Sequence, residues 1–311
     1  MRYLIVGTGG VGGYFGSKLA NAGHDVWFLA RGKHYEAMMN HGLRVKSAEG
    51  EITVLPEKII SDVHEAGIVD GVFFCVKSYD TDTAAVSLAP VLHQGSIVIS
   101  FQNGIDNEAK IQWLLPSAAV LGGVAYISAS ITAPGEITKF AATQKLVFGP
   151  MDGVVLDQHR TIHNDLITSG IETVLSSDIR TELWKKLIFL SPVAGITAIT
   201  RLTVGEAMAV KETAELVHEA MKEVESVALR TGVPIPPEYV DHLFGELPAR
   251  FGQTRASLYF DLVNGKPLEI EALFGKLINL GKDIGVPTPV HQFFYSVLLP
   301  HHYLANQKAG R

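Results

Sequence analysis

A glycine-rich turn near the start of the chain constrains its fold more than any other feature. An apolar run at residues 3–6 leads into a motif of the form G-x-G-x-x-G, and helical spacing follows at residues 14–22 before Gly23. The motif consists of Gly7, Thr8, Gly9, Gly10, Val11 and Gly12. In a strand–turn–helix unit such glycines let a pyrophosphate approach the backbone, and the helix N-terminus attracts the phosphates. The motif therefore predicts dinucleotide binding rather than a purely structural turn.

Strand-like and helix-like segments alternate over the first half of the chain. Further apolar runs lie at residues 25–30, 71–76, 96–101 and 120–127, and helix-compatible segments lie at residues 81–92 and 107–114. This alternation predicts a parallel sheet flanked by helices. Two hairpins are expected within it, at residues 43–54 and at residues 137–149.

Helical patterns replace the strand signals after about residue 178. They cover residues 182–199, 204–230 and 270–284, and the proline-rich segment 234–237 is expected to connect two helices. A length of 311 residues is typical of two domains. We therefore predict the α/β class, with a Rossmann domain at residues 1–177 and an all-helical domain at residues 178–311.

Composition limits the partners that this chain can have. The formal net charge is −6, so there is no overall basic field for nucleic acid. The sequence contains no uncharged apolar run of about 18 residues, so no membrane span is predicted. Its first residues do not have the pattern of a signal peptide. The single cysteine, Cys75, fits a reduced compartment, and the histidines lack paired metal-ligand spacing. These features predict a cytoplasmic protein without a metal.

The residue after the second predicted strand bears on cofactor choice. Arg31 lies 19 residues after Gly12, where an NAD-preferring fold places an acidic residue on the ribose hydroxyls. A guanidinium instead pairs well with a 2′-phosphate, and Lys33 or His34 are candidates to add positive charge. The sequence therefore favours NADPH over NADH.

Polar residues follow two later strands of the predicted sheet. Lys77 comes after the run at residues 71–76, and Asn103 comes after the run at residues 96–101. Residues just past strand carboxyl ends line the ligand crevice of open α/β folds. Since Asn-Gly is also a turn signal, position alone leaves both a ligand-binding and a turn role open.

The chain resembles the ketopantoate reductase (2-dehydropantoate 2-reductase) family over nearly its whole length. The residues that carry the resemblance are the glycine motif, Ala30-Arg31-Gly32, Val76-Lys77, Gln102-Asn103-Gly104, the run from Ile179 to Leu187 that contains Trp184, Thr197-Ala198, and the run from Asn264 to Ile270. The resemblance implies a Rossmann domain and a helical domain like the C-terminal domain of the 6-phosphogluconate dehydrogenase superfamily. It also implies NADPH-dependent reduction of 2-dehydropantoate to pantoate, a step of pantothenate biosynthesis, in a cleft between the domains.

The same resemblance implies the roles of five residues. Lys186 corresponds to the lysine that donates a proton to the keto oxygen, and Glu269 corresponds to the glutamate before the helix at residue 270. Asn103 and Lys77 take the places of residues near the nicotinamide and the cofactor, and Ser257 that of a serine that binds substrate. Hydride addition to a ketone builds alkoxide charge, which a positioned ammonium stabilises and then protonates. The implied catalytic residues are therefore Lys186 and Glu269.

Three positions depart from the family pattern. Lys186, Leu190 and Ala194 share one helix face, and the family commonly has asparagine at the last two; Thr254 replaces another frequent asparagine. We expect Leu190 and Ala194 to make the substrate pocket less polar, unless Ser191 or Thr197 compensates. Apolar walls favour a 2-keto acid with a hydrocarbon side chain.

Three functions remain open at this stage. The chain is a ketopantoate reductase, a paralogous D-2-hydroxy acid dehydrogenase that acts on a more apolar 2-keto acid, or a noncatalytic NADP(H)-binding sensor, because a fold and a glycine motif alone indicate only binding. Retention of both Lys186 and Glu269 favours an enzyme with a small-molecule substrate. A homodimer is compatible with the long apolar helical region, although no pattern defines an interface.

Overall fold

The computed structural model describes residues 1–310, which form two compact units. The first unit comprises Met1–Gln102 and Asn107–Ile179, and the second comprises Asn103–Asp106 with the chain from Arg180 onward. The division after Ile179 lies two residues beyond the boundary expected from the sequence. No sequence pattern indicated that the short segment Asn103–Asp106 groups with the helical unit.

The first unit is built on a mixed sheet of ten strands. The strands are β1 (Arg2–Val6), β2 (Asp25–Leu29), β3 (Leu43–Ser47), β4 (Gly50–Val54), β5 (Ile59–Ile60), β6 (Val69–Phe74), β7 (Leu92–Ser100), β8 (Ala119–Ala133), β9 (Glu136–Pro150) and β10 (Glu172–Leu175). Its helices are α1 (Gly10–Asn21), α2 (Gly32–His41), α3 (Thr81–Leu88), α4 (Asn107–Leu114) and α5 (Asp157–Thr168), with short 3₁₀ helices at Pro56–Lys58, Val63–Ala66, Ser78–Asp80 and Ala89–Val91.

The strand order identifies the sheet as a Rossmann type. The order is β4-β3-β9-β8-β7-β6-β1-β2-β5, with β10 paired to β9. All neighbours from β5 through β2, β1, β6 and β7 to β8 are parallel, and in chain order they read 3-2-1-4-5-6, the dinucleotide-binding arrangement. The direction of winding reverses between β1 and β6, so the carboxyl ends of these two strands mark the expected ligand crevice. The predicted Rossmann class is thereby confirmed.

The antiparallel part of the sheet confirms one hairpin prediction and corrects the other. Strands β3 and β4 pair antiparallel from Leu43 with Val54, as expected. The hairpin expected at residues 137–149 is wrong, because that region is one long strand, β9, paired antiparallel with β8 across a turn at Pro134 and Gly135. Strand β9 contacts β3 near its start and β10 near its end, both in parallel. The segment at residues 141–144, Ala-Ala-Thr-Gln, lacks bulky apolar residues and separates the two ends of β9, which made one strand look like two.

The second unit is helical, as predicted. Its helices are α6 (Ile179–Thr200), α7 (Val204–Met208), α8 (Lys211–Arg230), α9 (Tyr239–Phe251), α10 (Ser257–Val263), α11 (Lys276–Ile284) and α12 (Pro289–Ala309), with a π-helical turn at Glu271–Gly275 before α11. The single helix expected at residues 204–230 is two helices, because Val210 adopts extended backbone and caps α8. The apolar spacing continues across that break, so periodicity did not reveal it.

Each unit has its own hydrophobic core. Along β1, Tyr3 and Ile5 pack into the core on one face of the sheet, and Leu4 and Val6 pack into the core on the other. A strand buried on both faces has a continuous apolar run, which is why residues 3–6 lack alternation. The helical unit packs around a separate cluster that includes residues of α6, α8 and α12. Helix α6 is long and apolar enough to pass a composition test for a membrane span, but 67% of that window is buried inside the protein.

Candidate active site

Three glycines of the glycine-rich turn have no room for a side chain. Gly7 has φ +96°, and a Cβ there would lie 2.6 Å from the backbone nitrogen of Val76. A Cβ on Gly10 would lie 2.1 Å from the carbonyl oxygen of Ala129, and one on Gly12 would lie 2.5 Å from the carbonyl oxygen of Gly7. The fold therefore requires these three glycines whether or not a ligand binds.

Gly9 differs from the other glycines of the turn. Its backbone is extended (φ −94°, ψ −160°), and a Cβ would meet no heavy atom within 4 Å. It is the N-cap of α1, whose first turn has no acidic residue and whose N-terminus has no side-chain capping bond. The open space beside Gly9 and the backbone N–H groups at the start of α1 form a cradle that fits a pyrophosphate.

Two side chains hold the glycine-rich turn in place. Thr8 is buried, and its hydroxyl donates to the carbonyl oxygen of Leu29 at the end of β2 (2.9 Å). His34 Nε2 lies 2.9 Å from the carbonyl oxygen of Thr8, while His34 Nδ1 accepts from the backbone N–H of Gly135 (3.0 Å). Since Nδ1 accepts, Nε2 carries the proton, and burial lowers the pKa of His34. His34 is therefore a neutral link, and it adds no positive charge to the cofactor pocket.

Arg31 lies just beyond β2, where the sequence predicts a contact with a 2′-phosphate. It is the N-cap of α2, its side chain is 73% exposed, and it forms an ion pair with Asp80. Lys33 is exposed on the first turn of the same helix. The guanidinium is thus accessible to a ligand, but it shares its surroundings with a carboxylate that the sequence did not identify.

Lys77 and Asn103 follow neighbouring strands of the sheet, and both are half-buried. Lys77 caps the 3₁₀ helix after β6, with φ −61° and ψ 144°. Asn103 follows β7 and groups with the helical unit. The buried Gln102 fixes the backbone here, because its Nε2 donates to the carbonyl oxygen of Val76 (3.0 Å) and to the hydroxyl of Thr81 (2.8 Å). The resemblance included Gln102, but only the structure gives it this role.

Lys186 is half-buried on α6, and the preceding residue, Lys185, lies on a different face of the same helix. Lys185 donates to the Glu182 carboxylate at 2.9 Å and lies 5.7 Å from the ring centre of Tyr239. Successive helix positions point about 100° apart, so the two lysines face different surroundings. An ion pair within the helical unit accounts for Lys185, and the chemical role of Lys186 stays a prediction.

Glu269 is the last residue of a segment without regular secondary structure before the helical region that leads to α11, and it is only 5% exposed. The backbone on its N-terminal side is anchored by His302, whose Nδ1 accepts from the N–H of Leu268 (3.1 Å). On the other side the carbonyl oxygen of Glu269 accepts from the N–H of Leu273 (3.1 Å). The π-helical turn Glu271–Gly275 follows, and such turns are frequent at functional sites.

The remaining residues predicted to contact substrate differ in accessibility. Leu190 is half-buried, whereas Ala194 is 0% exposed within the helical core. Ser257 is exposed at the first residue of α10. Thr254 is partly exposed, and its carbonyl oxygen accepts from the N–H of Val204. Of the two substituted positions on α6, only Leu190 has accessible surface in this structure.

Ser191 and Thr197 do not replace the missing asparagines. The Ser191 hydroxyl lies 3.0 Å from the carbonyl oxygen of Leu187 and 2.9 Å from His291 Nε2. The Thr197 hydroxyl donates to a carbonyl oxygen of its own helix and accepts from the N–H of Ala256 (3.3 Å). Both side chains are fully buried, so their hydroxyls are engaged within the helical core.

Sequence reasoning missed a buried polar network behind α6. Glu223 accepts from the backbone N–H of Val290 (2.7 Å) and of His291 (3.1 Å), and His291 Nδ1 lies 2.6 Å from the same carboxylate. With Ser191 this network has the composition of a hydrolytic triad, but Ser191 and His291 are 0% exposed. A nucleophile sealed inside a helix bundle meets no substrate, so the network is structural. No local pattern relates residues that lie 68 and 100 positions apart.

Within residues 1–310 no group of three or more His, Cys, Asp or Glu side chains is arranged to hold a metal ion. The Rossmann unit with its glycine cradle is of the kind that NAD(P)-dependent oxidoreductases use, and the helical unit carries the predicted residues Lys186 and Glu269. The chain belongs to the ketopantoate reductase family. Residues 3–153 match the family described as ketopantoate reductase PanE/ApbA, and residues 178–301 match its C-terminal family.

Curated relatives match over almost the whole chain. An uncharacterized oxidoreductase, YkpB, of Bacillus subtilis is 30% identical over 298 residues, which cover 96% of this chain and 98% of the relative. A 2-dehydropantoate 2-reductase of Nostoc is 29% identical and covers 96% of this chain and 94% of its own length. The sequence similarity to both relatives therefore extends over nearly the whole of this chain.

Solved structures confirm the fold. A 2-dehydropantoate 2-reductase from Geobacter metallireducens superposes with a TM-score of 0.90 at 27% identity, covering 96% of this chain and 99% of that chain. A D-mandelate dehydrogenase with NADH and anilino(oxo)acetate superposes equally well, with a TM-score of 0.90 over 98% of this chain and 99% of that one, at 22% identity. At that identity the second likeness concerns the fold alone.

Proposed function

We propose that this protein reduces a 2-keto acid to a 2-hydroxy acid with NADPH, and that 2-dehydropantoate is the leading substrate. The observation that carries the proposal is that one chain contains both a candidate dinucleotide-binding turn and candidate catalytic side chains. A glycine cradle with open space at Gly9 lies in the first unit, and a lysine and a buried carboxylate lie in the second. A role in pantothenate biosynthesis and a cytoplasmic location follow from this proposal.

The residues of the first unit fit the proposed cofactor. Backbone N–H groups at the start of α1 are oriented to hold the pyrophosphate beside Gly9. Arg31 supplies a guanidinium at the position where a 2′-phosphate is expected, and Lys77 adds positive charge at the end of β6. When bound, NADPH would supply the hydride for the reduction.

Lys186 is the proposed general acid. Reduction of a keto group places negative charge on its oxygen, and an ammonium stabilises that charge and then gives up a proton. Glu269 is proposed to orient the ammonium or to accept from a substrate hydroxyl. Asn103 and Ser257 are the further proposed substrate contacts. A carboxylate that is 5% exposed is costly unless it is bonded, so Glu269 is a held side chain and not a solvated one.

A second candidate substrate is a 2-keto acid with a hydrocarbon side chain. Leu190 presents apolar surface one turn after Lys186, and Ser191 and Thr197 are occupied inside the core. A substrate hydroxyl would therefore find fewer hydrogen-bond partners at this face than it would beside an asparagine. A substrate with an apolar side chain needs no such partner, so the substitution would not weaken its binding.

The decisive experiment follows NADPH oxidation by absorbance with 2-dehydropantoate, 2-ketoisovalerate, 2-ketoisocaproate and benzoylformate. Fastest turnover of 2-dehydropantoate supports the leading substrate, and fastest turnover of an apolar keto acid supports the second. Binding of NADPH without oxidation by any keto acid would contradict catalysis and support a noncatalytic sensor.

A further inference from the structure

The ion pair between Arg31 and Asp80 lies where the cofactor's adenosine end is expected. Arg31 follows β2 and Asp80 is the N-cap of α3, after β6, so residues 49 positions apart meet at the carboxyl ends of parallel strands. The Asp80 side chain is 16% exposed, whereas the Arg31 side chain is 73% exposed. The carboxylate is thus held by the protein, and the guanidinium reaches toward solvent.

Capping of the helix does not account for Asp80. Its side chain makes no capping bond to the first turn of α3, although aspartate at this position commonly makes one. The carboxylate forms an ion pair with Arg31. On the same helix Asp82 pairs with Lys110 at 2.9 Å, so the two acidic residues have different cationic partners.

We propose that Asp80 sets the selectivity of this site between NADPH and NADH, an inference that rests on the proposed dinucleotide function. A 2′-phosphate must share Arg31 with the carboxylate and also sits close to a like charge, so Asp80 weakens NADPH binding. In NADH a 2′-hydroxyl takes the place of the phosphate, and a carboxylate accepts hydrogen bonds from the ribose hydroxyls, as acidic residues do in NAD-preferring folds. A site with both residues therefore binds both cofactors, and its preference for NADPH over NADH is smaller than that of a site with Arg31 alone.

The size of the effect follows from the exposure of the pair. Partly exposed charge pairs contribute little, about 1 kcal/mol or less, because water and salt screen them. Removal of the Asp80 charge should therefore raise the ratio of Kd for NADH to Kd for NADPH about three- to fivefold. The gain should shrink as salt is added, since the Debye length falls to about 3 Å at 1 M ionic strength.

The experiment measures binding of NADPH and NADH to the full chain by calorimetry, without substrate. The test variant is Asp80→Asn, because asparagine is as good an N-cap as aspartate and leaves the fold intact. The matched control is Asp82→Asn, which removes the same charge two positions further along α3. We expect the affinity ratio to rise in the first variant and to stay within twofold of the wild type in the second. The rise over the wild type should shrink as salt is added.

Three results would overturn the proposal: an unchanged ratio in Asp80→Asn, an equal change in both variants, or weaker NADPH binding in Asp80→Asn. The last would mean that Asp80 orients Arg31 for the phosphate instead of competing with it. Failure of the wild type to bind either cofactor would overturn both this inference and the proposed function. Normal binding and turnover with an unchanged ratio would overturn only the role of Asp80.

Discussion

His34 joins Thr8 to Gly135, and through them it ties the glycine-rich turn to the β8–β9 hairpin. One ring nitrogen lies 2.9 Å from the Thr8 carbonyl oxygen, and the other accepts from the Gly135 N–H at 3.0 Å. The second bond exists only while His34 is neutral, because a protonated ring has no acceptor. The geometry of the cofactor cradle therefore depends on the charge of one histidine.

Stability should fall as the pH drops below about 6.5, the ordinary pKa of histidine. Burial lowers the pKa of His34, and also of His159 and His302, so the unfolded chain binds protons that the folded chain does not. The stabilisation is complete above the unfolded pKa and is lost as the pH falls toward the folded value. We expect Tm to decline from pH 7 to pH 5, and His34→Asn to reduce the slope. His301→Asn, an exposed histidine, is the control, and an equal slope in all three proteins would refute the prediction.

Two alanine substitutions can distinguish the ligand-binding role of the glycine-rich turn from its structural role. Gly9→Ala should leave Tm nearly unchanged, since its Cβ meets nothing within 4 Å, but should weaken NADPH binding at least tenfold if the pyrophosphate occupies that space. Gly10→Ala should destabilise the fold, because its Cβ would lie 2.1 Å from the Ala129 carbonyl oxygen. Thermal unfolding and cofactor titration measure the two effects. Unaltered NADPH affinity in Gly9→Ala would place the pyrophosphate elsewhere.

The buried network around Glu223 should contribute to stability and not to chemistry. Glu223→Gln presents an amide N–H to donors, so it should lower the free energy of unfolding by about 3 kcal/mol. Glu225→Gln, on the same helix, breaks only a partly exposed pair with Lys222 and should cost about 1 kcal/mol or less. Urea unfolding measures both. A folded, stable Glu223→Gln protein without turnover would instead assign the network a catalytic role.

Leu190 should control the choice between polar and apolar substrates. Leu190→Asn restores a hydrogen-bonding side chain one turn after Lys186, so the ratio of kcat/KM for 2-dehydropantoate to that for 2-ketoisocaproate should rise about tenfold. Leu190→Ala removes bulk without adding polarity and serves as the control. Equal shifts in both variants would show that size, and not hydrogen bonding, determines the preference.

The sequence predicted those parts of the fold that local signals specify. The apolar run at residues 3–6 and its glycines are adjacent, so strand, turn and helix could be identified together. The β8–β9 hairpin was placed wrongly because a segment without bulky apolar residues, residues 141–144, interrupts the apolar pattern of β9, although Pro134-Gly135 carried the stronger turn signal. The break between α7 and α8 at Val210 was not predicted, because the apolar spacing continues through it.

The sequence proposed the members of the candidate site one by one, whereas their contacts are known only from the structure. Position after β2 identified Arg31, yet its ion pair with Asp80 joins residues 49 positions apart, and no local pattern encodes such a pair. His34 was assigned a charge that its burial and its two backbone bonds remove. The accessibility of Leu190 and the burial of Ala194 depend on the packing of the helical core, which spacing on one helix does not define.

The most direct test of the account is turnover by Lys186→Ala beside Lys185→Ala, with each protein shown to be folded and to bind NADPH. Loss of a general acid costs about a hundredfold to ten-thousandfold, so Lys186→Ala should lose that much kcat on the best keto acid. Lys185→Ala should keep kcat within about threefold, since Lys185 pairs with Glu182 and contributes only a partly exposed ion pair. Equal activity of the Lys186→Ala protein and the wild type would contradict the proposed chemistry.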